Sequence, residues 1–541
     1  MASMMRTWLP LTVLVLAFTL WGCGGETAAP GDNQNGDPDA GHEDAGEDAG
    51  NGNHHDPDVG NGEDAGNGQT DTGPDEGECG PGEAIPLPAA SLEDPCRPDD
   101  GWGQKAVFVA PHGDDDAEGT LSAPLRSIQA GLDLAEAEGF IYVLVQGGSY
   151  DEAIELKDGV QLIGAYDVGW NFQQSSRAIV RGGNPTMWGE GIASRTRVIN
   201  FRFEPASTVG FEESLITVYL KDSDGVALHN VQINGGRAGD GVAGQGGSPG
   251  SPGAPGEEGD DAARGIWGAC GVVDGNEPIG GDGGSNSCSF GGDGGNGPRG
   301  DDSGNAGEPG DDGAAGGEPG PHEGDGDDGE DGEDGVDGEH GVGGGAEGSF
   351  DGLQWVGQDG TSGTDGTRGT GGGGGGSGGG EDTGWTSCDR WGPAGGGGGS
   401  GGCAGTAGTG GTHGGASVAL FLDNSDVELV SCRIDGGTGG DGGRGGVGEP
   451  GGPGGGGGPG GEPAGSTGRA GAGGDGGDGG DGGNGGGGAG GPSFGIFSTV
   501  DLTRIDEATR VDVGRAGRGG GPSGPSTQAE DGLEAAIQIG L

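Results

Sequence analysis

The sequence predicts an all-β protein in which short parallel strands stack as successive coils of a solenoid and carry very long glycine-rich insertions. Two apolar strands of one pattern support this fold. VALHNVQIN (Val226 to Asn234) and VELVSCRID (Val427 to Asp435) each run directly into a glycine-rich array. Glycine accounts for 151 of the 541 residues, and the hydrophobic fraction is only 28%. Such a composition supports one modest core, which separated segments of the chain must share.

The two strands align residue by residue, as expected for neighbouring coils. Leu228 pairs with Leu429 and Ile233 with Ile434, so alternating apolar side chains point to a common interior. A small polar residue between the apolar positions marks a turn between two strands of one coil. Further aligned positions are Val226 with Val427, Asn230 with Ser431 and Gly235 with Gly436, and degenerate copies supply Val198, Asn200, Phe201, Phe203, Val511 and Val513.

One helix is predicted near the start of the folded part. The segment SAPLRSIQAGLDLAEAEG has leucine and isoleucine at helical spacing. We expect the helix to begin at Ser122 or Ala123-Pro124 and to end at Gly139. A strand precedes this helix, and three short strands separated by glycine-containing turns follow it.

Residues 106 to 166 contain a G-T turn (Gly119-Thr120), the sequence Pro124-x-x-x-Ile128-Gln129 and a G-x-Y strand end (Gly148-Ser149-Tyr150). This pattern resembles the N-terminal end of right-handed parallel β-helix proteins of the pectin-lyase-like class. The resemblance implies a right-handed parallel β-helix of few coils. Its helix would cap the open end, which otherwise exposes strand edges and an apolar interior.

The N-terminus resembles a bacterial lipoprotein signal. Arg6 precedes an apolar stretch, Trp8 to Leu20, that is too short to span a bilayer stably, and Leu20-Trp21-Gly22-Cys23 resembles a lipobox. The resemblance implies that residues 1–22 are removed and that Cys23 carries lipid such as palmitate, which anchors the exported protein to a membrane. The absence of Asp after Cys23 resembles lipoproteins sent to the outer membrane of Gram-negative bacteria.

An acidic tether follows the lipobox. Residues 23–78 contain almost no apolar side chain, so they cannot bury a core and we expect them to be disordered. His54-His55 in this tether carries no metal-site pattern. The formal net charge of the chain is −65, which excludes nucleic acid as a partner because both would be anionic. Weak Ca²⁺ binding is the one cofactor-like interaction that this charge favours.

The cysteines favour an oxidising compartment. Three pairs are close in sequence, and each disulfide would close a loop of about 16 to 19 residues, contributing around 3 kcal/mol in the loop-entropy model. We therefore predict Cys79–Cys96, Cys270–Cys288 and Cys388–Cys403 disulfides. Cys432, aligned with Val231, is predicted to be a buried free thiol. No C-x-x-C motif is present, so a zinc site is not expected.

Three ordered structures and disorder compete for the glycine arrays. Collagen is disfavoured because only residues 241–259 approach Gly-X-Y. Calcium-binding β-rolls are disfavoured because glycine, not an aliphatic residue, follows Asp475, Asp478 and Asp481. Polyglycine II, a bundle of threefold extended helices, fits the G-G-x pattern and places these three Asp side chains along one edge. Disorder stays an equal alternative, and residues 324–341 are expected to be the most disordered because their charges repel one another.

The lipobox, acidic tether, β-helix pattern and glycine arrays together resemble the PGRS-family lipoproteins of myxobacteria. That resemblance implies a cell-surface protein without an assigned biochemical role. We expect a non-catalytic structural or adhesive function, with glycans or other surface proteins as partners. A carbohydrate-binding or carbohydrate-cleaving β-helix is the alternative. It is disfavoured because Asp222-Ser223-Asp224, the one carboxylate pair of note, precedes Gly225 in a predicted turn.

These inferences divide the chain as follows: signal peptide 1–22, tether 23–78, N-terminal β-helix 79–235, glycine-rich insertion 236–415, β-helix coil 416–435, glycine-rich insertion 436–491, and C-terminal coils and cap 492–541.

Overall fold

The computed structural model describes residues 106–540 except 206, 208, 264–276, 301, 383–388 and 522–527. The described chain is all-β, with one α-helix, α1 (Ile128–Glu138). No helix within it has the length and apolar character needed to cross a membrane. Cys23, the tether, Cys79, Cys96, Cys270 and Cys388 lie outside the described residues.

The strands are β1 (Ala106–Val109), β2 (Tyr142–Gln146), β3 (Gly148–Asp151), β4 (Ile154–Glu155), β5 (Gln161–Tyr166), β6 (Ala178–Arg181), β7 (Met187–Glu190), β8 (Thr196–Ile199), β9 (Phe201–Glu204), β10 (Leu215–Lys221), β11 (Val226–His229), β12 (Gln232–Asn234), β13 (Ser349–Asp351), β14 (Gln354–Val356), β15 (Ser417–Asp423), β16 (Glu428–Val430), β17 (Arg433–Asp435), β18 (Ser493–Ser498), β19 (Arg510–Asp512) and β20 (Glu534–Ile539).

Eighteen of these strands form three parallel six-stranded sheets. Sheet A has the order β1-β2-β5-β8-β11-β16, sheet B has β3-β6-β9-β12-β17-β19, and sheet C has β4-β7-β10-β15-β18-β20. From β2 to β18, the chain passes from sheet A to sheet B to sheet C and back to sheet A, and after β18 it adds β19 to sheet B and β20 to sheet C. Each new pass adds one strand beside the strand of the pass before it. The antiparallel hairpin β13–β14 interrupts the fourth of these passes, between β12 and β15.

The strand register confirms the alignment made from sequence. Leu228 lies beside Val198 on one side and Leu429 on the other, and Ile233 lies beside Ile434. The small polar residue of each copy makes the sharp turn from sheet A to sheet B, in the left-handed region of backbone space. The φ angles are 64° at Asn200, 50° at Asn230 and 52° at Ser431.

The core fills the space between the three sheets and under α1. Val198, Leu228 and Leu429 are fully buried there, as are Ile128 and Leu132 of the helix. The apolar residues of each strand alternate with outward-facing residues, so period-2 patterning in the sequence places them correctly.

The helix begins later than the sequence predicts. Ser127 is the N-cap and Ile128 the first helical residue, so a start at Ser122 or Ala123-Pro124 is wrong. The preceding residues are held extended along β1, because the Leu125 amide donates to Phe108 O (2.9 Å) and Leu125 O accepts from the Ala110 amide (2.8 Å). The predicted end is confirmed, with Gly139 capping the helix at φ 71°.

The β13–β14 hairpin packs on the outer face of sheet C. Trp355 is 1% exposed in a cluster with Phe421 and Phe497. The Phe350 ring lies 4.9 Å from the ring of Phe421 and 4.7 Å from that of Phe497. This aromatic contact joins the first glycine-rich insertion to the strand core at a second place, far along the chain from the strands that flank the insertion.

Candidate functional site

The glycine arrays leave the strand core at one turn. The first insertion follows β12 and returns to β15, the second follows β17 and returns to β18, and a shorter one follows β19 and returns to β20. Each therefore connects a sheet B strand to a sheet C strand. We call the described parts of 236–415 and 436–491, without the β13–β14 hairpin, the glycine slab.

Backbone hydrogen bonds join segments of the slab at every third residue. Gly241 donates to Asp441 O (2.7 Å), Gly253 to Pro453 O (2.7 Å) and Ala262 to Glu462 O (3.0 Å). The partner lies 200 residues later in each case, which extends the parallel pairing of β12 with β17 out into the slab. A three-residue repeat is that of an extended threefold helix, in which one residue of each triplet meets a given neighbour.

Returning segments pair in the opposite direction. The amides of Thr412, Thr409 and Thr406 donate to the carbonyls of residues 242, 245 and 248, at 2.9, 2.9 and 3.0 Å. The hydroxyl of each threonine accepts the amide of the same partner residue, at 2.8, 2.7 and 2.7 Å. Each threonine thus satisfies both polar backbone groups of the residue opposite to it.

The number of glycines in each triplet of a slab segment matches the number of faces of that segment that pack against neighbouring backbone. Residues 371–380, which are all glycine except Ser377, are all buried. A Cβ at Gly372, Gly373 or Gly374 would lie 2.2, 2.1 or 2.0 Å from a backbone carbonyl oxygen of a different neighbouring segment. All three faces of this segment are therefore occupied by backbone, and no side chain fits on any of them.

Residues 324–341, expected to be the most disordered, are instead regularly hydrogen-bonded. Gly332 donates to Asp475 O and Gly335 to Asp478 O, both at 2.7 Å. This segment lies at the rim of the slab with one glycine per triplet facing inward, so its acidic side chains extend into solvent. The expectation of disorder was wrong. Repulsion between the carboxylates was considered, but the hydrogen bonds that closely packed glycine amides donate to a neighbouring segment were not.

Carboxylates at the rim accept backbone amides. Asp331 Oδ1 accepts the Asp475 amide (2.8 Å), and Asp475 Oδ1 accepts the Gly457 amide (2.8 Å). The same pattern repeats at Asp478 and Asp481, one triplet further along each time. These three Asp residues are all exposed along one segment, where the sequence placed them. Within the described chain, no cluster of His, Cys, Asp and Glu has metal-binding geometry.

Within the described part of the slab, a disulfide joins Cys288 and Cys403, which lie 115 positions apart in the sequence. The predicted pairs Cys270–Cys288 and Cys388–Cys403 are therefore wrong. Proximity in sequence misled the prediction because packing of the slab brings segments that are far apart in sequence into contact. Cys432 is confirmed as a buried free thiol, and burial raises its pKa to about 11.

A cleft of about 660 Å³ lies beside this disulfide. Its floor is Asp311, which is 6% exposed and accepts hydrogen bonds from Ser289 Oγ (2.8 Å) and the Gly371 amide (2.6 Å). Arg368 forms ion pairs with Asp311 and with Asp312, the latter at 2.5 Å. Phe290, 56% exposed, forms part of the wall. No sequence pattern predicts this cleft, because its residues come from turns that are separated by up to about eighty positions.

Asp222 and Asp224 stabilise turns. Asp222 adopts a left-handed conformation (φ 48°) and accepts from Asn424 Nδ2 at 2.6 Å, and Asp224 Oδ1 accepts the Asp426 amide at 2.9 Å. Both contacts join equivalent turns of neighbouring passes. The two carboxylates therefore have the turn-forming role that the sequence suggested.

No protein-family model, no curated protein and no solved structure matches this chain.

Proposed function

We propose that this protein is a non-catalytic, lipid-anchored protein of the cell surface whose glycine slab serves in structure or adhesion. The arrangement that carries the proposal is the common exit of all three insertions between sheet B and sheet C. A single exit lets the insertions pack on one another and extend away from the strand core as one hydrogen-bonded unit. A protein that devotes so much chain to one projecting layer is well suited to presenting a surface.

The finer architecture belongs to the same proposal. The repeated passage from sheet A to B to C supports a right-handed parallel β-helix, capped by α1. The three-residue hydrogen-bond repeat and the burial of all-glycine triplets support polyglycine II packing in the slab. Its rim is acidic, and it has few lysine or arginine residues for trypsin-like proteases to cleave. In this proposal Cys23 carries the lipid, the outer membrane is the site of anchoring, and glycans or other surface proteins are the partners.

The experiment compares attachment of Gram-negative cells that carry three forms of the full chain. The unsubstituted form should increase binding of cells to surfaces coated with polysaccharide or with cells of the same strain. Cys23→Ser should release the protein and abolish attachment. Shortening each slab segment by the same number of triplets should reduce attachment. The strand core should stay folded, which circular dichroism checks. Unchanged attachment on shortening would refute the adhesive role, and unchanged retention of Cys23→Ser would refute the anchor.

A second candidate function is carbohydrate binding at the cleft. Its exposed Phe290 offers a ring face, and the surrounding serine and asparagine side chains offer hydrogen bonds, the usual combination for a sugar. Both carboxylates bond to Arg368, which favours binding over acid–base catalysis. Phe290→Ala should abolish retardation of the protein in gels containing neutral polysaccharide, and Phe211→Ala, which removes another exposed ring far from the cleft in sequence, is the matched control.

A further inference from the structure

The two ends of the strand core are finished differently. At the β1 end, α1 covers the core, and Ile128 and Leu132 of the helix are fully buried against it. At the other end the last strands are β19 of sheet B and β20 of sheet C, and no described strand pairs with their outer edges. Residues 504–506 lie beside sheet A there, because Ile505 bridges to Leu429. We call residues 504–506, β19 and β20 the terminal coil.

The apolar interior is open at the terminal coil. In each sheet, the interior row ends in an aliphatic residue that is more exposed than the fully buried residue before it. These pairs are Leu429 and Ile505 in sheet A, Ile434 and Val511 in sheet B, and Ile496 and Ile537 in sheet C. Ile537 is 41% exposed. Aliphatic side chains beside open strand edges are the usual mark of a surface that another chain covers.

The backbone of β19 has hydrogen-bonding groups free at its centre. The Arg510 amide donates to Cys432 O, and Asp512 O accepts the Gly436 amide, both at 2.9 Å. Both residues therefore direct their backbone groups towards β17. Backbone groups of successive residues in a strand point to opposite sides, so the N–H and C=O of Val511 point to the open edge.

The side chains on either side of Val511 are exposed and have opposite charge. Asp512 forms an ion pair with Arg433 at 3.2 Å, whereas Arg510 has no ion-pair partner within the described chain. Arg510 instead lies beside the like charge of Arg433. A half-turn about Val511 superimposes the sequence Arg-Val-Asp on its own reverse. A second β19 in this orientation would place its Asp512 opposite Arg510 and its Arg510 opposite Asp512.

We propose that the terminal coil binds the terminal coil of a second copy of this chain, through antiparallel pairing of the two β19 strands about a twofold axis at Val511. The two Val511 residues exchange N–H···O bonds, and Arg510 and Asp512 then face each other as non-hydrogen-bonded pairs, with Cα atoms about 4.5 Å apart. Charge complementarity with itself selects a second copy as the occupant. Stacking of the terminal coil on the β1 end of another copy is disfavoured because α1 covers that end.

The same axis closes the rest of the end. It exchanges the positions of sheets A and C, so residues 504–506 of each copy lie opposite β20 of the other. Each slab leaves its strand core between sheets B and C, so the two slabs leave at opposite ends of the paired β19 strands. The inference goes beyond the proposed function, since it concerns how two copies assemble and not what a slab binds.

The first test is the mass of the full chain against its concentration, measured by sedimentation equilibrium. Every form includes Cys23→Ser, so that lipid cannot hold copies together. The mass should rise from that of one chain to that of two and no further, because a twofold contact uses the open end of both copies. A mass of one chain at every concentration would mean that another part of the chain covers the terminal coil, and it would overturn the proposal. Growth beyond two chains would also overturn it.

Charge reversal tests the pairing itself. Arg510→Asp and Asp512→Arg each place like charges opposite one another twice, so each should raise the dissociation constant of the dimer by about tenfold or more. Mixing the two variants should restore the dimer, because opposite charges then meet again at both contacts. Arg444→Asp reverses an exposed arginine of the second insertion and is the matched control. Equal weakening by the control, or no recovery on mixing, would contradict the pairing.

A third measurement needs no charge-reversed variant. The Val511 amide should exchange with deuterium more slowly above the dissociation constant than below it, when exchange is resolved residue by residue. The Arg510 amide, which is bonded within its own chain, should exchange at the same rate in both conditions. A Val511 exchange rate that does not depend on concentration would overturn the proposal.

Discussion

Thr367 and Val336 contact each other twice across the slab. The Thr367 amide donates to Val336 O (2.9 Å), and the Thr367 hydroxyl accepts the Val336 amide (2.6 Å). Thr361, Thr364 and Thr370 repeat this double contact with successive partners on the same segment. The threonines therefore link a rim segment to its neighbour with one side chain per triplet.

Thr367→Val removes the hydroxyl acceptor and leaves the Val336 amide to solvent. We expect a loss of about 0.5–1.5 kcal/mol in the free energy of unfolding, near the lower end because the position is exposed and water replaces the hydroxyl. Amide exchange at Val336 should accelerate. Thr367→Ser keeps the acceptor and is the control, and equal exchange rates in the two variants would contradict this role.

Gly374→Ala should disrupt the interior of the slab. The new Cβ would lie 2.0 Å from Asp293 O, so a backbone segment must move, at a cost of about 3 kcal/mol or more. Gly456→Ala is the matched control, since its nearest atom is a carboxylate oxygen at 3.8 Å. Denaturant unfolding monitored by circular dichroism distinguishes them. Similar midpoints for the two variants would show that the slab is not packed as described.

Cys288→Ser should release the thiol of Cys403. Mass spectrometry of alkylated peptides should find that thiol newly labelled, with Cys270 unchanged. Losing a cross-link that closes a loop of this length should cost about 2–5 kcal/mol. Cys432→Ala leaves the cross-link in place and is the control. New labelling at Cys270 would instead support the pairing that sequence proximity suggested.

The buried thiol of Cys432 should make stability depend on pH in an alkaline window. Its pKa is about 11 in the folded protein against an ordinary value of 9.0, so between these values the unfolded chain loses a proton that the folded chain keeps. Stability should fall there by at most about 1.4 kcal/mol per pH unit. The difference between the unsubstituted chain and Cys432→Ala isolates this contribution, because the other titrating groups are common to both. A difference that does not vary with pH would contradict the burial of the thiol.

Sequence alone was enough for the register of the strands that repeat one local pattern in sheets A and B. Leu228 and Leu429 align without gaps, and the register follows from that alignment. The helix start was missed because Leu125 has helical spacing but is held by β1, a tertiary contact that periodicity does not reveal. The Cys288–Cys403 pair was missed for a related reason, since it depends on which slab segments become neighbours.

The slab itself contained a usable signal. Triplets with one, two or three glycines correspond to segments with one, two or three packed faces, as residues 324–341, 473–486 and 371–376 illustrate. Counting glycines per triplet would have ranked these segments from rim to interior.

The constant offset between paired slab segments also limits how such a protein can change in length. Loss or gain of one or two residues within a segment would turn every later side chain towards a different neighbour. A change of three residues preserves the facing of all of them and only moves the end of the segment. Gain or loss of whole triplets therefore lets the projecting layer lengthen or shorten while every side chain keeps its neighbouring segment.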